Sequence, residues 1–157
     1  MISTESQKEI RKICVAFLTR REHSQQELLT KLVFKGFDRF DSQSVINDLV
    51  DEGWQSDDRF AEAYTRYRIK KGYGPIKISN ELRQRGIESF DLEPVVLDLA
   101  EGWFELLEQV YDKKYAENKT ISSKEWLKRS RFLQQRGFSG ELIKQLFKHL
   151  NLKQDYS

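Results

Sequence analysis

The sequence predicts an all-α protein in which three tandem three-helix repeats form an elongated, curved array of about nine helices. Apolar residues such as Ile10, Cys14 and Phe17 recur at intervals of three to four, which is the spacing of one helix face. No stretch shows the alternation of apolar and polar residues that is typical of a half-buried strand. A similar unit returns at intervals of about 50 residues, which is typical of repeat proteins.

Helix starts are marked by side chains that cap free backbone N–H groups. Ser24 precedes Glu27 by three residues, the spacing of a capping box, and Ser122 precedes Glu125 in the same way. Pro75 fits the first position of a helix after Gly74. The further N-cap candidates are Asp41, Ser56 or Asp57, Asp91 and Ser139.

Helix ends are marked by glycines that follow periodic segments and predict left-handed C-terminal caps: Gly36, Gly53, Gly72, Gly86 and Gly137. Together, starts and ends predict helices at 6–20, 24–35, 42–52, 57–71, 75–85, 91–101, 103–118, 122–136 and 140–150. Gly102 leaves an alternative open, a single helix over 92–118, in which glycine costs about 1 kcal/mol relative to alanine.

The repeat is visible as a direct match between segments. Residues 32–37 match residues 82–87 at an offset of 50, and residues 133–138 at an offset of 101. The match at an offset of 50 also continues beyond these segments without a gap, from Phe40 paired with Phe90 to Leu49 paired with Leu99. We therefore predict repeats at 6–54, 57–102 and 103–150, each sharing a core with its neighbour.

Composition excludes several classes of protein. One cysteine rules out an internal disulfide, and the presence of only two histidines disfavours a polyhistidine metal site. Apolar runs are far shorter than the roughly 20 residues of a membrane span, and the N-terminal residues lack a secretory signal, so we expect a cytoplasmic protein without membrane contact. Nucleotide-binding, zinc-protease and hydrolase motifs are missing, and Asp57-Asp58 fits helix capping, so we expect no enzyme, cofactor or metal.

Three residue types receive a structural interpretation. Cys14 lies on a helical apolar stripe and is predicted to be a core residue. His23 is expected to be a hydrogen-bonding turn residue, and His149 a surface group. The aromatic residues are mostly at stripe or cap positions, which predicts core and repeat-interface roles for Trp54, Trp103, Trp126, Phe34, Phe37, Phe40, Phe60, Phe132, Phe138 and Phe147.

Charge is distributed in blocks that the net charge of +2 conceals. Residues 65–86 hold seven basic groups and one acidic group, residues 87–112 hold eight acidic groups and no Lys or Arg, and residues 113–157 hold 11 basic and four acidic groups. Cations at helix ends also complement the helix dipole, but seven exceed what capping requires. A second basic surface is predicted in the third repeat. Lys124, Lys128 and Arg131 share one helix face there, and Lys113, Lys114 and Gln135 extend it. The predicted partner- or DNA-binding set is Arg20, Arg21, Arg66, Arg68, Lys70, Lys71, Tyr73, Arg83, Arg85, Lys124, Lys128 and Arg131.

The motifs resemble a known family. The stretches 57–61 (Asp-Asp-Arg-Phe-Ala), 71–75 (Lys-Gly-Tyr-Gly-Pro) and 81–87 (Glu-Leu-Arg-Gln-Arg-Gly-Ile) resemble the central signature of the bacterial RecX regulatory proteins. Residues 21–28 are similar to the signature of the family's first repeat, and residues 132–138 to that of its third. The order and spacing match over about residues 8–150, and the central block is the most specific.

The resemblance implies a non-catalytic modulator of the RecA recombinase with an all-helical tandem-repeat fold. Such proteins bind RecA and its nucleoprotein filament, lodge in the filament groove, and suppress ATP hydrolysis, strand exchange and coprotease activity. On this hypothesis the basic surface contacts DNA phosphate or acidic RecA surface, and the acidic residues 87–112 meet basic RecA surface. We expect a monomer with at most weak direct contact to DNA.

Two alternatives remain open. Three-helix units resemble helix-turn-helix modules, but the third helices at 42–52 and 91–101 are rich in Asp and Glu, which disfavours base recognition and leaves only nonspecific phosphate binding. An enzyme needs a concave site with several perturbed polar groups, and no motif marks one.

Overall fold

The structure, a computed structural model, describes residues 4–115 and 119–156. Within these residues it contains nine helices and two short strands. The helices are α1 Thr4–Arg20, α2 Gln25–Phe34, α3 Arg39–Asp51, α4 Asp57–Lys70, α5 Pro75–Gln84, α6 Glu93–Leu99, α7 Trp103–Lys114, α8 Ser123–Gln135 and α9 Gly140–His149. The strands are β1 Thr120–Ser122 and β2 Lys153–Asp155. The all-α class is confirmed.

The chain forms two compact units. The first contains the residues up to Tyr64 together with Leu82–Phe90, and the second contains Thr65–Glu81 together with the residues from Asp91 onward. The division into repeats at 6–54, 57–102 and 103–150 stays a prediction.

The core of the first unit is built where α3 packs against α1 and α2. The apolar stripes of these helices meet there, and their buried members are Ile10, Cys14, Leu28, Leu32, Val45, Ile46 and Leu49. Cys14 is therefore a core residue, as predicted, and burial raises the pKa of its thiol to about 11.

The core of the second unit lies where α7 and α8 pack against α9. The aromatic ring of Phe147 is buried there, with edge contacts to Trp126 at 4.7 Å and to Tyr111 at 5.8 Å between centroids. Beside α8 the two strands pair in parallel, with Ile121 opposite Gln154. The sequence did not predict this sheet, because three-residue strands are too short to show alternation.

The predicted caps are largely confirmed. The Ser24 hydroxyl accepts the N–H of Glu27 at 3.0 Å, and the Glu27 carboxylate accepts the N–H of Ser24 at 3.1 Å, which completes a capping box. Ser122 and Ser139 accept the N–H groups of Glu125 and Leu142. All five predicted C-terminal glycines have positive φ angles, from 80° to 102°.

The boundaries of α3, α6 and α7 differ from the predicted ones. Helix α3 begins at Arg39 because Asp38, not Asp41, caps it and accepts the N–H of Asp41 at 2.9 Å. Helix α6 is shorter than predicted: Leu92 holds its N-cap position, and Ala100 is extended after its last residue. Gly102, at φ 128°, separates α6 from α7, so the single long helix is also wrong. Helix α7 ends at Lys114, and residues 116–118 of its predicted span lie outside the described residues.

The core prediction is wrong for three aromatic residues. Phe34, Phe40 and Trp54 are 92%, 74% and 45% exposed. Phe34 lies two positions after Leu32 in α2, and a step of two turns the side chain to the opposite helix face. Phe60, Phe138 and Phe147 are buried as predicted.

Candidate functional site

A groove of about 580 Å³ in the second unit is the candidate binding site. Its walls come from the C-terminal end of α4, from α6, from α7 and from the end of α8. The lining residues are Ile69, Lys70, Lys71, Gly72, Leu99, Leu106, Gln109, Val110, Lys113, Lys114, Phe132 and Arg136. Among the residues that the structure describes, five of these are Lys or Arg and none is Asp or Glu, so the groove combines positive charge with an apolar floor. We call it the basic groove.

Helix α7 supplies one complete wall of the basic groove. Leu106, Gln109, Val110, Lys113 and Lys114 all line it. Their spacing of three and four residues places them on one face of the helix. The apolar members lie toward the start of this face and the two lysines at its end.

The lysines of the basic groove have no acidic partner among the residues that the structure describes. Lys70, Lys71, Lys113 and Lys114 are exposed, and none of them forms an ion pair within residues 4–115 and 119–156. Their charges therefore remain available to an anionic partner.

Arg136 fixes the end of α8 against the turn that follows α4. Its Nη1 donates to the carbonyl oxygen of Lys71 at 2.9 Å, which satisfies a carbonyl at the end of α4 that has no partner within the helix. Its guanidinium carbon also lies 5.3 Å from the ring centroid of Phe132 and 4.8 Å from that of Tyr73. Arg136 therefore positions the groove and adds to its charge.

A smaller cavity of about 240 Å³ continues this surface. It shares Phe132 and Arg136 with the basic groove and is also lined by Tyr73, Lys77 and Gln135. Lys77 Nζ lies 5.6 Å from the ring centroid of Tyr73. The positive surface thus extends beyond the groove to the start of α5.

Arg68 and Tyr73 are held by contacts within the second unit. The Arg68 guanidinium donates to both carboxylate oxygens of Glu81, at 2.9 and 2.8 Å, in a bidentate pair. Its carbon lies 3.8 Å from the ring centroid of Tyr73. The Tyr73 ring therefore packs against guanidinium groups of its own chain, and these contacts order the turn between α4 and α5.

Two of the predicted residues in the first unit, Arg21 and Arg85, contact Glu27. Arg21 donates to both Glu27 carboxylate oxygens at 3.1 and 3.2 Å, and Arg85 Nε lies 3.9 Å from Glu27 Oε2. Burial opposes ionisation of Glu27, but the hydrogen bonds from Arg21 and from the Ser24 N–H outweigh it and lower the pKa of this carboxyl. The Arg85 guanidinium also covers the ring of Tyr64 at 4.7 Å.

His23 is buried and makes two polar contacts. Its Nδ1 lies 3.1 Å from the carbonyl oxygen of Arg21, and its Nε2 lies 3.0 Å from Lys31 Nζ. Burial is the main cause that lowers the pKa of His23, and burial also lowers the pKa of Lys31. The two groups therefore share one partly desolvated hydrogen-bonded site.

The structure places only Lys70 and Lys71 of the predicted binding set in the basic groove. Arg66 pairs with Asp98 at 2.7 Å. The remaining predicted residues are exposed and do not line the groove: Arg20, Arg83, Lys124, Lys128 and Arg131.

Three groove cations are absent from the predicted set. The sequence groups Lys113 and Lys114 in a second basic surface with Lys124 and Lys128, and the signal for them is the lysine doublet at the end of α7. Arg136 carries no such signal, because its residue type fits a helix end equally well.

Metal clusters and membrane spans are both absent from the part of the chain that the structure describes. Among these residues, no group of three or more His, Cys, Asp or Glu side chains is placed to hold a metal ion. In the same part of the chain, no helix has both the length and the apolar character that crossing a membrane requires.

Two segments of the chain match models of known protein domains. Residues 56–93 match the model of the second three-helix domain of RecX, and residues 101–147 match that of the third. The chain belongs to the RecX family. Most residues of the basic groove lie within these two RecX domains, with Leu99 between them.

Curated relatives support the same assignment. Regulatory protein RecX of Legionella pneumophila is 39% identical over 133 residues, which cover 85% of this chain and 89% of that protein. Regulatory protein RecX of Pseudomonas syringae pv. tomato is 34% identical over 137 residues, which cover 87% of this chain and 88% of the relative.

Solved RecX structures have the same fold. The crystal structure of RecX from Lactobacillus salivarius has a TM-score of 0.75 at 20% identity, and the match covers 96% of this chain and 99% of that one. Another crystal structure of regulatory protein RecX has a TM-score of 0.70 at 18% identity, covering 91% of this chain and 72% of the other.

Proposed function

We propose that the protein regulates the RecA recombinase by binding RecA and the RecA–DNA filament. In this proposal it lodges in the filament groove and inhibits ATP hydrolysis, strand exchange and coprotease activity. It acts by binding and without catalysis, as a monomer in the cytoplasm. The observation that carries the proposal is membership of the RecX family, whose curated members are named regulatory proteins.

The basic groove supports this role. Four lysines and one arginine line it, with no acidic residue among the described part of the lining, so the groove attracts anionic surfaces of a filament made of protein and DNA. Attraction of this kind raises the rate of encounter and disfavours partners of the same charge. A regulator that must find a filament end or groove at low concentration benefits from both effects.

The test is RecA ATP hydrolysis on single-stranded DNA, measured while the protein is titrated from substoichiometric ratios upward. We expect hydrolysis to fall as the protein is added. RecA hydrolysis that stays unchanged up to a molar excess contradicts the proposal. Sedimentation of the free protein tests the monomeric state in parallel.

The same assay tests the groove without disturbing the fold. Charge reversal at Lys70 and Lys71 changes two exposed groove residues, and we expect it to weaken inhibition. Arg68 is left intact, because its loss would break the pair with Glu81 and the stack on Tyr73. Full inhibition by Lys70→Glu/Lys71→Glu removes this part of the groove from the proposed interface.

Nonspecific DNA binding is the second candidate function, and the groove lysines, which have no acidic partner within 4–115 and 119–156, favour it. A protein that neutralises DNA phosphates releases counterions, so its affinity falls steeply with salt. To separate this function from RecA regulation, binding of the protein to single-stranded DNA is measured without RecA over a series of salt concentrations. Tight DNA binding in this measurement supports DNA as the primary partner.

A further inference from the structure

The chemistry of the basic groove selects one class of ligand. Its positive charges come from Lys70, Lys71, Lys113, Lys114 and Arg136, and none of the four lysines is paired among the residues that the structure describes. Cations that have no acidic partner among these residues attract anionic groups and disfavour cationic ones, because charge complementarity contributes to specificity. Both nucleic acids and acidic peptides meet this first condition.

The floor of the groove distinguishes between these two classes. Ile69, Leu99, Leu106 and Val110 are aliphatic, and Ile69 and Leu106 are buried. Sites for single-stranded nucleic acid stack bases on aromatic rings, which an aliphatic floor does not provide. An aliphatic floor instead receives an apolar side chain.

The single aromatic ring of the lining does not change this conclusion. Phe132 is covered by Lys114, whose Nζ lies 3.6 Å from the ring centroid, and the guanidinium carbon of Arg136 lies at 5.3 Å. Cations of the chain itself already use its π surface. A nucleobase would have to displace them before it could stack.

We infer that the basic groove binds an acidic peptide segment that inserts one aliphatic side chain between its lysines. The inference rests on the proposed function for the source of this segment, which is an acidic surface segment of the protein partner. The volume of about 580 Å³ lies within the range of pockets that enclose small ligands, which is enough for an anchor residue and its neighbours.

The test uses two labelled peptides and the full chain. One peptide consists of Asp and Glu with a single central Leu, and the other has Ser in place of the Leu. Fluorescence anisotropy at fixed salt gives both dissociation constants. We expect the Leu peptide to bind about tenfold to a hundredfold more tightly, because it alone buries a leucine side chain.

Matched charge reversals locate the binding site. Lys113→Glu/Lys114→Glu changes the groove, whereas Lys144→Glu/Lys148→Glu makes the same change in net charge at exposed α9 residues outside it. We expect the first variant to weaken binding of the Leu peptide at least about tenfold. The second variant should bind it within about twofold of the unmodified chain. Circular dichroism checks that both variants fold.

Three outcomes overturn the inference. Equal binding of the Leu and Ser peptides shows that the floor of the basic groove does not bind the leucine side chain. This comparison uses only the unmodified chain. Equal loss in both double variants shows attraction to net charge only. Displacement of the Leu peptide by oligothymidylate, together with weaker oligothymidylate binding by Lys113→Glu/Lys114→Glu, assigns the groove to nucleic acid.

The RecA assay separates this inference from the proposed function. Selective binding of the Leu peptide by a chain that does not inhibit RecA leaves the groove assignment standing and removes the proposed function. If the unmodified chain inhibits RecA but does not bind the Leu peptide selectively, the proposed function stands and the groove assignment is removed. Full inhibition by Lys113→Glu/Lys114→Glu overturns the placement of the segment on the RecA partner.

Discussion

Two glycines of the second unit bring the start of α5 against the turn that follows α8, and substitution of one tests this packing. The N–H of Gly74 donates to the carbonyl oxygen of Arg136 at 2.7 Å, and the N–H of Ile76 donates to that of Gly137 at 3.0 Å. A Cβ atom at position 74 would lie 2.6 Å from the carbonyl oxygen of Gly137 and 2.7 Å from its carbon. Gly74→Ala must therefore push two backbone segments apart.

The expected loss follows from two effects at this contact. Separating the backbones removes or distorts two hydrogen bonds, each of which contributes about 0.5–1.5 kcal/mol. Forcing an extra carbon into a filled space costs about 1–3 kcal/mol. We therefore expect Gly74→Ala to lower the free energy of unfolding by about 2–6 kcal/mol, a large fraction of the stability of a small domain.

Gly140→Ala is the matched control in the same unit. Gly140 begins α9, and a Cβ atom at this position would have as its nearest neighbour the flexible Gln134 Nε2, at 3.3 Å. Neither Gly74 nor Gly140 has a positive φ, so left-handed strain enters neither substitution. Because alanine is the better helix former by up to about 1 kcal/mol, we expect the control to be neutral or stabilising.

Urea denaturation followed by circular dichroism measures both variants. The midpoint for Gly74→Ala should fall while the dependence on urea stays constant. Equal stabilities for the two alanine variants would refute the close backbone approach at Gly74.

Three further predictions concern the first unit. Ser24→Ala removes the hydroxyl of the capping box and should lower the free energy of unfolding by about 1 kcal/mol, measured by urea denaturation; an unchanged midpoint would contradict the cap. Burial raises the pKa of the Cys14 thiol to about 11, so a disulfide reagent near neutral pH should label the chain only after urea is added, and rapid labelling without urea would contradict its burial. Burial lowers the pKa of His23, so the unfolded chain protonates this imidazole more readily than the folded chain does. The stability contributed by neutral His23 is present above the ordinary pKa of about 6.5 and is lost as the pH falls through the pKa of the folded state. Denaturation at a series of pH values should show this loss, and His23→Gln should reduce it; the same pH dependence in both proteins would exclude His23 as the cause.

The local features of the fold were predictable because their chemistry acts over a few residues. Ser24 and Glu27 cap a helix through bonds that span three positions, and the left-handed turn at Gly137 depends on its own φ angle. Asp38 shows where such reasoning fails. Asp38 and Asp41 both have capping side chains, and only the folded backbone decides which one accepts the free N–H group.

The basic groove was less predictable because its walls are distant along the chain. Lys71 and Arg136 are 65 positions apart, yet Arg136 Nη1 donates to the carbonyl oxygen of Lys71. Periodicity places each of them on its own helix but does not show which helices meet. Phe34 shows that periodicity also does not tell which helix faces stay uncovered. This apolar residue at a helix end is predicted to be buried and is 92% exposed.

Charge blocks along a sequence also differ from charged surfaces in a helical protein. The acidic block at 87–112 overlaps α7, but α7 presents Leu106, Gln109 and Val110 of this block to the basic groove. Acidic members of the block have partners in their own unit: Asp98 pairs with Arg66, and the Glu108 carboxylate lies 3.2 Å from His149 Nε2.

Because Asp98 is paired with Arg66, the block presents less net charge to a basic partner than its run of eight acidic groups suggests. The hypothesis that residues 87–112 meet a basic surface of RecA therefore has weaker support than the hypothesis of an anionic partner for the groove. In the groove, Lys113 and Lys114 follow directly after the acidic block, share a helix face with Val110, and have no acidic partner within the described residues. Because a helix sorts consecutive residues onto different faces, the sign of the surface that a partner meets is set by the face and not by the block.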